Sequence, residues 1–206
     1  VKAALIGFST IEDGGKCVSE IIASGIIPSG MEMMDKALIH ATDNFVKAGY
    51  PRDAESMLIV ELDGTETEVE ELIERVSKIA KKNKSSSIKI SKNEKQRLKF
   101  WAGRKAAFPA CGDMAPDYYC MDGTIPRGKL AEVLKEIGRL SKKYNLPVAN
   151  AFHAGDGNLH PLIMYDANEK NSLEKTEKFG ADILKYCVKI GGVLTGEHGV
   201  GVEKRE

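Results

Sequence analysis

Two histidines flank an aspartate–glycine pair in the segment NAFHAGDGNLHP, which covers residues 150–161. Asp156-Gly157 is a favoured centre for a two-residue β-hairpin turn, because both turn positions tolerate a positive φ angle. In that register, His153 lies directly opposite His160 on one face of the hairpin. Opposed side chains have Cβ atoms about 5 Å apart, which suits two imidazoles that share one metal ion. The spacing therefore predicts a metal-binding hairpin.

A second segment, GGVLTGEHGVG at residues 191–201, has glycines on both sides of a glutamate–histidine pair. This pattern indicates a tight loop that exposes two functional groups, Glu197 and His198. Adjacent side chains of an extended backbone point in opposite directions, so one can serve a metal ion while the other faces a substrate. Two histidines and one carboxylate are a common ligand set for catalytic divalent metals, with coordination positions left open. The two segments together predict a catalytic metal site.

The spacing by itself leaves other interpretations open. Either hairpin histidine, taken alone, suits a structural role in which it is simply hydrogen-bonded. Two histidines and a glutamate also suit the activation of water, so a metal-dependent hydrolase is an alternative enzyme class. A ferredoxin-like regulatory or oligomerisation module with a structural metal is the non-enzymatic alternative.

The composition limits the classes of partner. The chain has 206 residues, with 30 Lys and Arg against 30 Asp and Glu, so its formal charge is zero. That balance argues against nucleic acid or an anionic membrane surface as the main partner. No apolar run approaches the ~20 residues of a membrane span, so we expect no transmembrane segment. The cysteines lack CxxC spacing, which indicates reduced thiols in a cytoplasmic protein; they are Cys17, Cys111, Cys120 and Cys187.

Strands and helices alternate along the predicted chain. Alternating or β-branched runs predict strands at residues 1–8, 26–34, 56–62, 118–122, 147–153 and 159–165. Apolar residues at i+3 and i+4 spacing predict helices at residues 12–24, 35–48, 65–82, 94–108, 126–144 and 172–190. Thr67 and Glu70 fit a capping box, and residues 109–116 read as a loop. This order predicts an α+β fold of two ferredoxin-like units, with an antiparallel sheet covered by helices.

The two glycine-rich segments also carry a family resemblance. HAGDGNLHP at residues 153–161 and GGVLTGEHGVG at residues 191–201 resemble the C-terminal domain of FAD-linked 2-hydroxyacid oxidases and dehydrogenases. That group includes the glycolate oxidase large subunit, D-lactate dehydrogenase and D-2-hydroxyglutarate dehydrogenase. Shorter matches extend the resemblance over nearly the whole chain: GIIP at 25–28, EMMD at 32–35, ELDG at 61–64, WAGRK at 101–105 and IPR at 125–127.

The resemblance implies a flavin-dependent oxidoreductase that converts a 2-hydroxy acid to the 2-oxo acid. In such proteins FAD is bound mainly by an N-terminal domain, which implies that residues 1–206 are the substrate-side cap domain. The start at Val1 and the stop at Glu206 look cut, so we expect a piece of a longer protein, inactive by itself. Electron-transfer subunits are the expected protein partners. We expect a cytoplasmic location, with any attachment to a membrane made through those subunits.

Site residues follow from the resemblance position by position. His153, His160 and Glu197 match the ligands of a divalent metal, zinc or manganese, and His198 matches the catalytic base. Arg104 matches the arginine that binds the substrate carboxylate, a task for which its planar fork is well suited. Two further matches, Asn158 and Gly196, are expected to contact the cofactor. Residues 118–122 lack the lysine that some 2-hydroxyglutarate-type members use for a second carboxylate, which favours a monocarboxylate such as glycolate or lactate.

Overall fold

Strands and helices alternate through residues 1–205, the part of the chain that the computed structural model describes. The strands are β1 (Lys2–Phe8), β2 (Gly30–Asp35), β3 (Ser56–Leu62), β4 (Ser85–Ile90), β5 (Asp117–Cys120), β6 (Gly123–Thr124), β7 (Val148–His153) and β8 (Asn158–Tyr165). The α-helices are α1 (Ile11–Ala23), α2 (Lys36–Val46), α3 (Glu66–Lys82), α4 (Glu94–Lys105), α5 (Ala107–Ala110), α6 (Leu130–Tyr144) and α7 (Ser172–Lys189). Short 3-10 turns at Cys111–Asp113 and Arg127–Lys129 precede β5 and α6.

The strands form one sheet in the order β4-β1-β3-β2-β7-β8-β5, with β6 also paired to β8. Its first four strands, in the order 4-1-3-2, make a ferredoxin-like unit. The second half repeats that order, because β5 and β6 pair with β8, which pairs with β7. A bridge between Thr124 and Val193 marks the place of its fourth strand. Antiparallel pairing of β2 with β7 joins the two units, so the predicted fold class is confirmed.

Hydrophobic cores lie on both faces of the sheet. Alternate residues of β1 belong to different cores, with Ile6 in the larger one and Leu5 in the smaller. Helices α1, α3, α6 and α7 supply the larger core, whereas α2, α4 and α5 supply the smaller. Each face is buried because apolar area removed from water stabilises the fold by about 25 cal/mol per Å². The smaller core occupies the same face as His153 of β7 and His160 of β8, since it includes Ala151 and Leu162 of those strands.

The predicted hairpin register is wrong. His153 pairs with Asn158, and His160 pairs with Ala151. The turn has four residues, 154–157, because the N–H groups of Asp156 and Gly157 both donate to the His153 carbonyl. The error shifts the pairing by two residues. Since side chains alternate with a period of two, the two histidines still lie on the same face, as diagonal neighbours.

Several other boundaries differ from the prediction. The capping box of α3 uses Thr65 and Glu68 instead of the later Thr-x-x-Glu pair. Strand β2 begins at Gly30, four residues later than predicted, and the predicted loop 109–116 contains helical turns. Strands β4 and β6 were not predicted: β4 is a serine-rich strand at the sheet edge, and β6 has only two residues. Such short or polar strands form through pairing with neighbours, and their sequences carry little alternation.

Candidate metal and acid–base site

Three strands present the core of the site from one face of the sheet. Glu32 of β2 lies directly opposite His153 of β7, and His160 of β8 lies diagonally beyond it. The rings of the two histidines meet edge to face, with centroids 5.0 Å apart. Because strand pairing fixes all three backbones, the sheet holds these side chains without help from the surrounding loops.

Glu197 completes a group of side-chain atoms that could hold a metal ion. Its Oε1 lies 3.5 Å from His153 Nε2, and its Oε2 lies 3.8 Å from His160 Nε2. One ligand atom from each of the three side chains lies within 4.8 Å of the others. The structure therefore brings together the three residues predicted as metal ligands. Two imidazole nitrogens and a carboxylate oxygen suit zinc or manganese by donor type.

A buried carboxylate holds the loop that carries Glu197. Asp122 is fully buried, and its side chain accepts hydrogen bonds of 2.8–3.1 Å from the Thr195 hydroxyl and from the backbone N–H groups of residues 196–198. Lys204 Nζ lies 3.5 Å from the same carboxylate. Burial raises the pKa of the Asp122 carboxyl, but the hydrogen bonds outweigh burial and lower that pKa well below its ordinary value. One anion therefore orients the whole Gly-Glu-His turn.

Glu32 joins His153 to Arg104. Its Oε1 lies 2.7 Å from His153 Nδ1, and its Oε2 accepts from Arg104 Nε at 2.8 Å. Because Glu32 accepts from Nε of Arg104, this hydrogen bond leaves the two terminal guanidinium nitrogens available for other partners. The side chains of Glu32 and Arg104 are each only 11% exposed, which makes this a largely desolvated pair. A carboxylate behind a metal-binding imidazole fixes its tautomer and ring orientation.

The two hairpin histidines have opposite pKa shifts. The hydrogen bond with Glu32 raises the pKa of His153 against the opposing effect of burial. Burial is the main cause of the lowered pKa of His160, and the nearby His153 lowers it further. His160 is therefore disposed to be the neutral imidazole of the pair, and neutral imidazole is the form that ligates metals.

His198 and the two predicted cofactor contacts surround this cluster. The His198 ring is stacked on His160 with centroids 5.3 Å apart, on the side of the exposed loop. Gly196 packs against Asn158 so closely that a Cβ at position 196 would lie 2.5 Å from the carboxamide carbon. Asn158 Oδ1 is buried and has no hydrogen-bond partner within residues 1–205. The structure thus places these two residues in contact beside the histidines, with one acceptor oxygen free.

Sequence reasoning missed three residues of this region. Glu32 carried a signal, since a glutamate inside the apolar strand GMEMMD is a charge that must find a partner when buried. Asp122 carried a weaker one, as a carboxylate just after a strand and before a glycine. Cys120 forms a second group of close donor atoms with His160 and His198. Its contribution depends on the pairing of β5 with β8, which the sequence does not specify.

Solved structures share this architecture of two joined ferredoxin-like units. The 4-ethylphenol oxidase from Gulosibacter chungangensis aligns with a TM-score of 0.68 and 12% identity, over 95% of this chain and 45% of that one. A p-cresol methylhydroxylase aligns with a TM-score of 0.69 and 14% identity, over 94% of this chain and 44% of that one. At these identities the likeness establishes the fold class alone.

The sequence identifies the family. The profile described as "FAD linked oxidases, C-terminal domain" matches residues 1–206, so this chain belongs to that family. It is 53% identical over 203 residues to the glycolate oxidase subunit GlcD of Escherichia coli K12, and 33% identical to that of Bacillus subtilis 168. A mitochondrial D-lactate dehydrogenase of Arabidopsis thaliana is 30% identical. The resemblance seen in the two glycine-rich segments is confirmed.

These relatives are considerably longer. Each alignment covers 98% of this chain, but only 41%, 43% and 35% of the respective relatives. The chain thus spans about two-fifths of the length of the curated relatives that it matches. None of the helices described in residues 1–205 is long and apolar enough to cross a membrane.

Proposed function

We propose that this chain supplies the substrate- and metal-binding part of an FAD-dependent oxidoreductase. The reaction is the oxidation of a 2-hydroxy acid, of the glycolate or D-lactate type, to the 2-oxo acid. The observation that carries the proposal is the convergence of His153, His160 and Glu197 between Arg104 and a third histidine, the exposed His198. A carboxylate-binding cation, a metal ligand set and a proton acceptor are the three groups that a 2-hydroxy acid requires.

The donor atoms fit a divalent metal. His153, His160 and Glu197 would hold zinc or manganese, because the Nε2 atoms of the two rings lie 3.5 and 3.8 Å from the oxygens of the Glu197 carboxylate. When bound, such an ion supplies a Lewis acid that favours ionisation of the substrate hydroxyl. Glu32 holds the His153 ring so that Nε2 faces the ligand group.

Arg104 and His198 divide the remaining work. Arg104 binds the substrate carboxylate through its terminal nitrogens while Glu32 holds its Nε, so the substrate is oriented by a fixed cation. His198 accepts the hydroxyl proton at one of its ring nitrogens. The side chain of β5 that faces the cluster is the neutral Cys120, which is consistent with a substrate that has no second carboxylate.

Two residues of this chain are suited to meet the cofactor. FAD supplies the acceptor for the hydride that leaves the substrate Cα. Asn158 has a buried acceptor oxygen without a protein partner in residues 1–205, and Gly196 packs directly against the Asn158 carboxamide. We place the rest of the FAD site, together with the electron-transfer partners, outside residues 1–206. The greater length of the relatives supports this division.

The location proposed is the cytoplasm, with electron-transfer subunits as the link to any membrane. Two of the relatives, from Escherichia coli K12 and Bacillus subtilis 168, are each named as a glycolate oxidase subunit, which supports a multi-subunit enzyme. Residues 1–206 alone should be colourless and should not oxidise 2-hydroxy acids, because the flavin is held elsewhere. A stoichiometric yellow flavin on this chain alone would contradict that division of labour.

The proposal is tested on the intact gene product. Glycolate, D-lactate and D-2-hydroxyglutarate are each supplied with an artificial electron-accepting dye, and dye reduction is followed together with bleaching of the flavin spectrum. We expect reduction with glycolate or D-lactate and much less with the dicarboxylate. A colourless full-length protein that hydrolyses esters or phosphates would instead establish the metal-dependent hydrolase.

A further inference from the structure

Cys120 lies beside the metal-ligand group, although the proposed reaction has no use for a thiol. It is the last residue of β5, and its partner on β8 is Leu162, two residues from His160 along the same face. Cys120 Sγ and one ring nitrogen each of His160 and His198 lie within 4.8 Å of one another. Among the cysteines of residues 1–205, only Cys120 belongs to such a cluster.

His160 shows that this cluster has unused binding capacity. The residue is 3% exposed, and its Nδ1 is buried without a hydrogen-bond partner in residues 1–205. A buried polar atom without a hydrogen-bond partner destabilises the folded state, and most buried polar atoms in folded proteins have a partner. The Cys120 thiol also has only one hydrogen bond within residues 1–205, which it donates to the carbonyl of the next residue at 3.4 Å.

We propose that Cys120, His160 and His198 form a second metal site, which binds thiophilic divalent ions. On binding, the Cys120 sulfur forms a bond to the ion and its proton passes to solvent. The two imidazoles donate as neutral ligands, so no oxidant or reductant is needed. Thiolate sulfur selects soft ions, whereas carboxylate oxygen suits harder ones such as manganese. The two donor sets therefore discriminate between ions, with His160 common to both.

The consequence is inhibition by thiophilic ions. An ion in the second site engages His198, the proposed base, and a ring nitrogen of His160, the residue that it shares with the proposed catalytic metal site. This consequence rests on the proposed function, whereas the binding of the ion does not. Glu32 and His153 lie on the opposite side of His160 from Cys120, on β2 and β7. Removal of either should leave the thiol-containing site in place.

Cadmium titration of the intact protein tests the site, with sulfur-to-cadmium charge-transfer absorption in the ultraviolet as the readout. We expect the band to saturate at about one ion per chain. Cys120→Ser should abolish the band and weaken cadmium binding by more than ~100-fold, above the range seen for residues that only support a ligand. Cys187→Ser, which removes a buried cysteine of α7 outside both donor groups, should keep the band.

His153→Ala separates the two sites. It breaks the carboxylate-containing set and should leave the charge-transfer band intact. A band that is unchanged in Cys120→Ser and in Cys120→Ala, or one that disappears in His153→Ala, would overturn the proposal.

Cadmium NMR of the unmodified protein tests the same site without any variant. A chemical shift typical of one thiolate with nitrogen ligands is expected, and a shift typical of nitrogen and oxygen ligands alone would contradict it. Because both readouts report binding, a failure to oxidise 2-hydroxy acids leaves them interpretable.

Discussion

The two halves of the candidate site are built in different ways. His160 lies in a central strand with its side chain 4% exposed, whereas the Glu197 side chain is 57% exposed on a glycine-rich loop. Strand pairing on both sides fixes the sheet half. The loop half depends on hydrogen bonds to one carboxylate, Asp122. The comparison shows two ways to position functional side chains: strand pairing holds the two histidines, whereas hydrogen bonds to one buried carboxylate hold the loop that carries Glu197 and His198.

The largest effect is expected in the sheet half. His160→Ala should remove the divalent metal from the intact enzyme and lower kcat by at least ~10³-fold, since metal catalysis is worth several kcal/mol. Metal analysis and the rate of flavin reduction measure the two effects. His40→Ala is the matched control. His40 lies on α2, outside the candidate site, and its ring forms a hydrogen bond with the Arg52 carbonyl. Retention of the metal in His160→Ala would assign the sheet half a structural role.

The loop half should separate into two functions. His198→Gln should retain the metal and lower turnover by roughly 10²–10⁴, the usual range for loss of a general base. Glu197→Gln should weaken metal binding and raise KM, because a neutral amide does not replace a carboxylate opposite a dication. Metal content, KM and kcat are measured on each variant. If His198→Gln loses metal while Glu197→Gln retains it, the two roles are reversed.

Asp122→Asn should loosen the loop half alone. Hydrogen bonds to a charged group contribute about 1.5–3 kcal/mol each, and the amide weakens several at once. We expect activity to fall on the order of 100-fold, with faster amide exchange at residues 195–198. Exchange in β7 and β8 should not change. Equal loss of protection in the sheet and the loop would show that the two halves are not held separately.

Glu32→Gln should have the smallest effect, about 10-fold in metal affinity, at the lower end of the range for residues that support a ligand. The substitution should also raise KM, because Arg104 loses a charged partner. Glu61→Gln provides the control. Glu61 is a glutamate of the adjacent strand β3, which accepts from Arg97 and Trp101 of α4 without contacting a histidine. If Glu61→Gln lowered metal affinity as much as Glu32→Gln, Glu32 would have only a general structural role in the sheet.

The sequence predicted the sheet half through an incorrect register. The Asp-Gly pair suggested a two-residue turn, and the actual four-residue turn moved the pairing by an even number of positions. The histidines therefore stayed on one face. The α+β class and most helix bounds followed from local periodicity, which a sequence displays directly.

Local sequence patterns could not predict the long-range contacts that complete the site. Glu32 and His153 are 121 residues apart in the chain, and Asp122 is 75 residues from Glu197. Neither separation leaves a trace in periodicity or spacing. Both pairs depend on which strands become neighbours, and strand order is set by the packing of the whole sheet. The family resemblance predicted the ligands, but it assigned no role to Glu32 or Asp122, the two carboxylates that position them.

The pairing of β2 with β7 has a consequence for folding. Glu32 and His153 form one rung of this seam between the two ferredoxin-like units, so neither unit contains the site by itself. Contacts of such long sequence separation are slow to form, because loop-closure entropy is lost before they are made. The proposed metal ligands all lie in the second unit, on β7, on β8 and on the loop that follows α7. Joining the two units would therefore not assemble the ligand set; it would add the carboxylate of Glu32, which orients the His153 ring. Metal affinity should depend on the docking of the units only to the extent of that support.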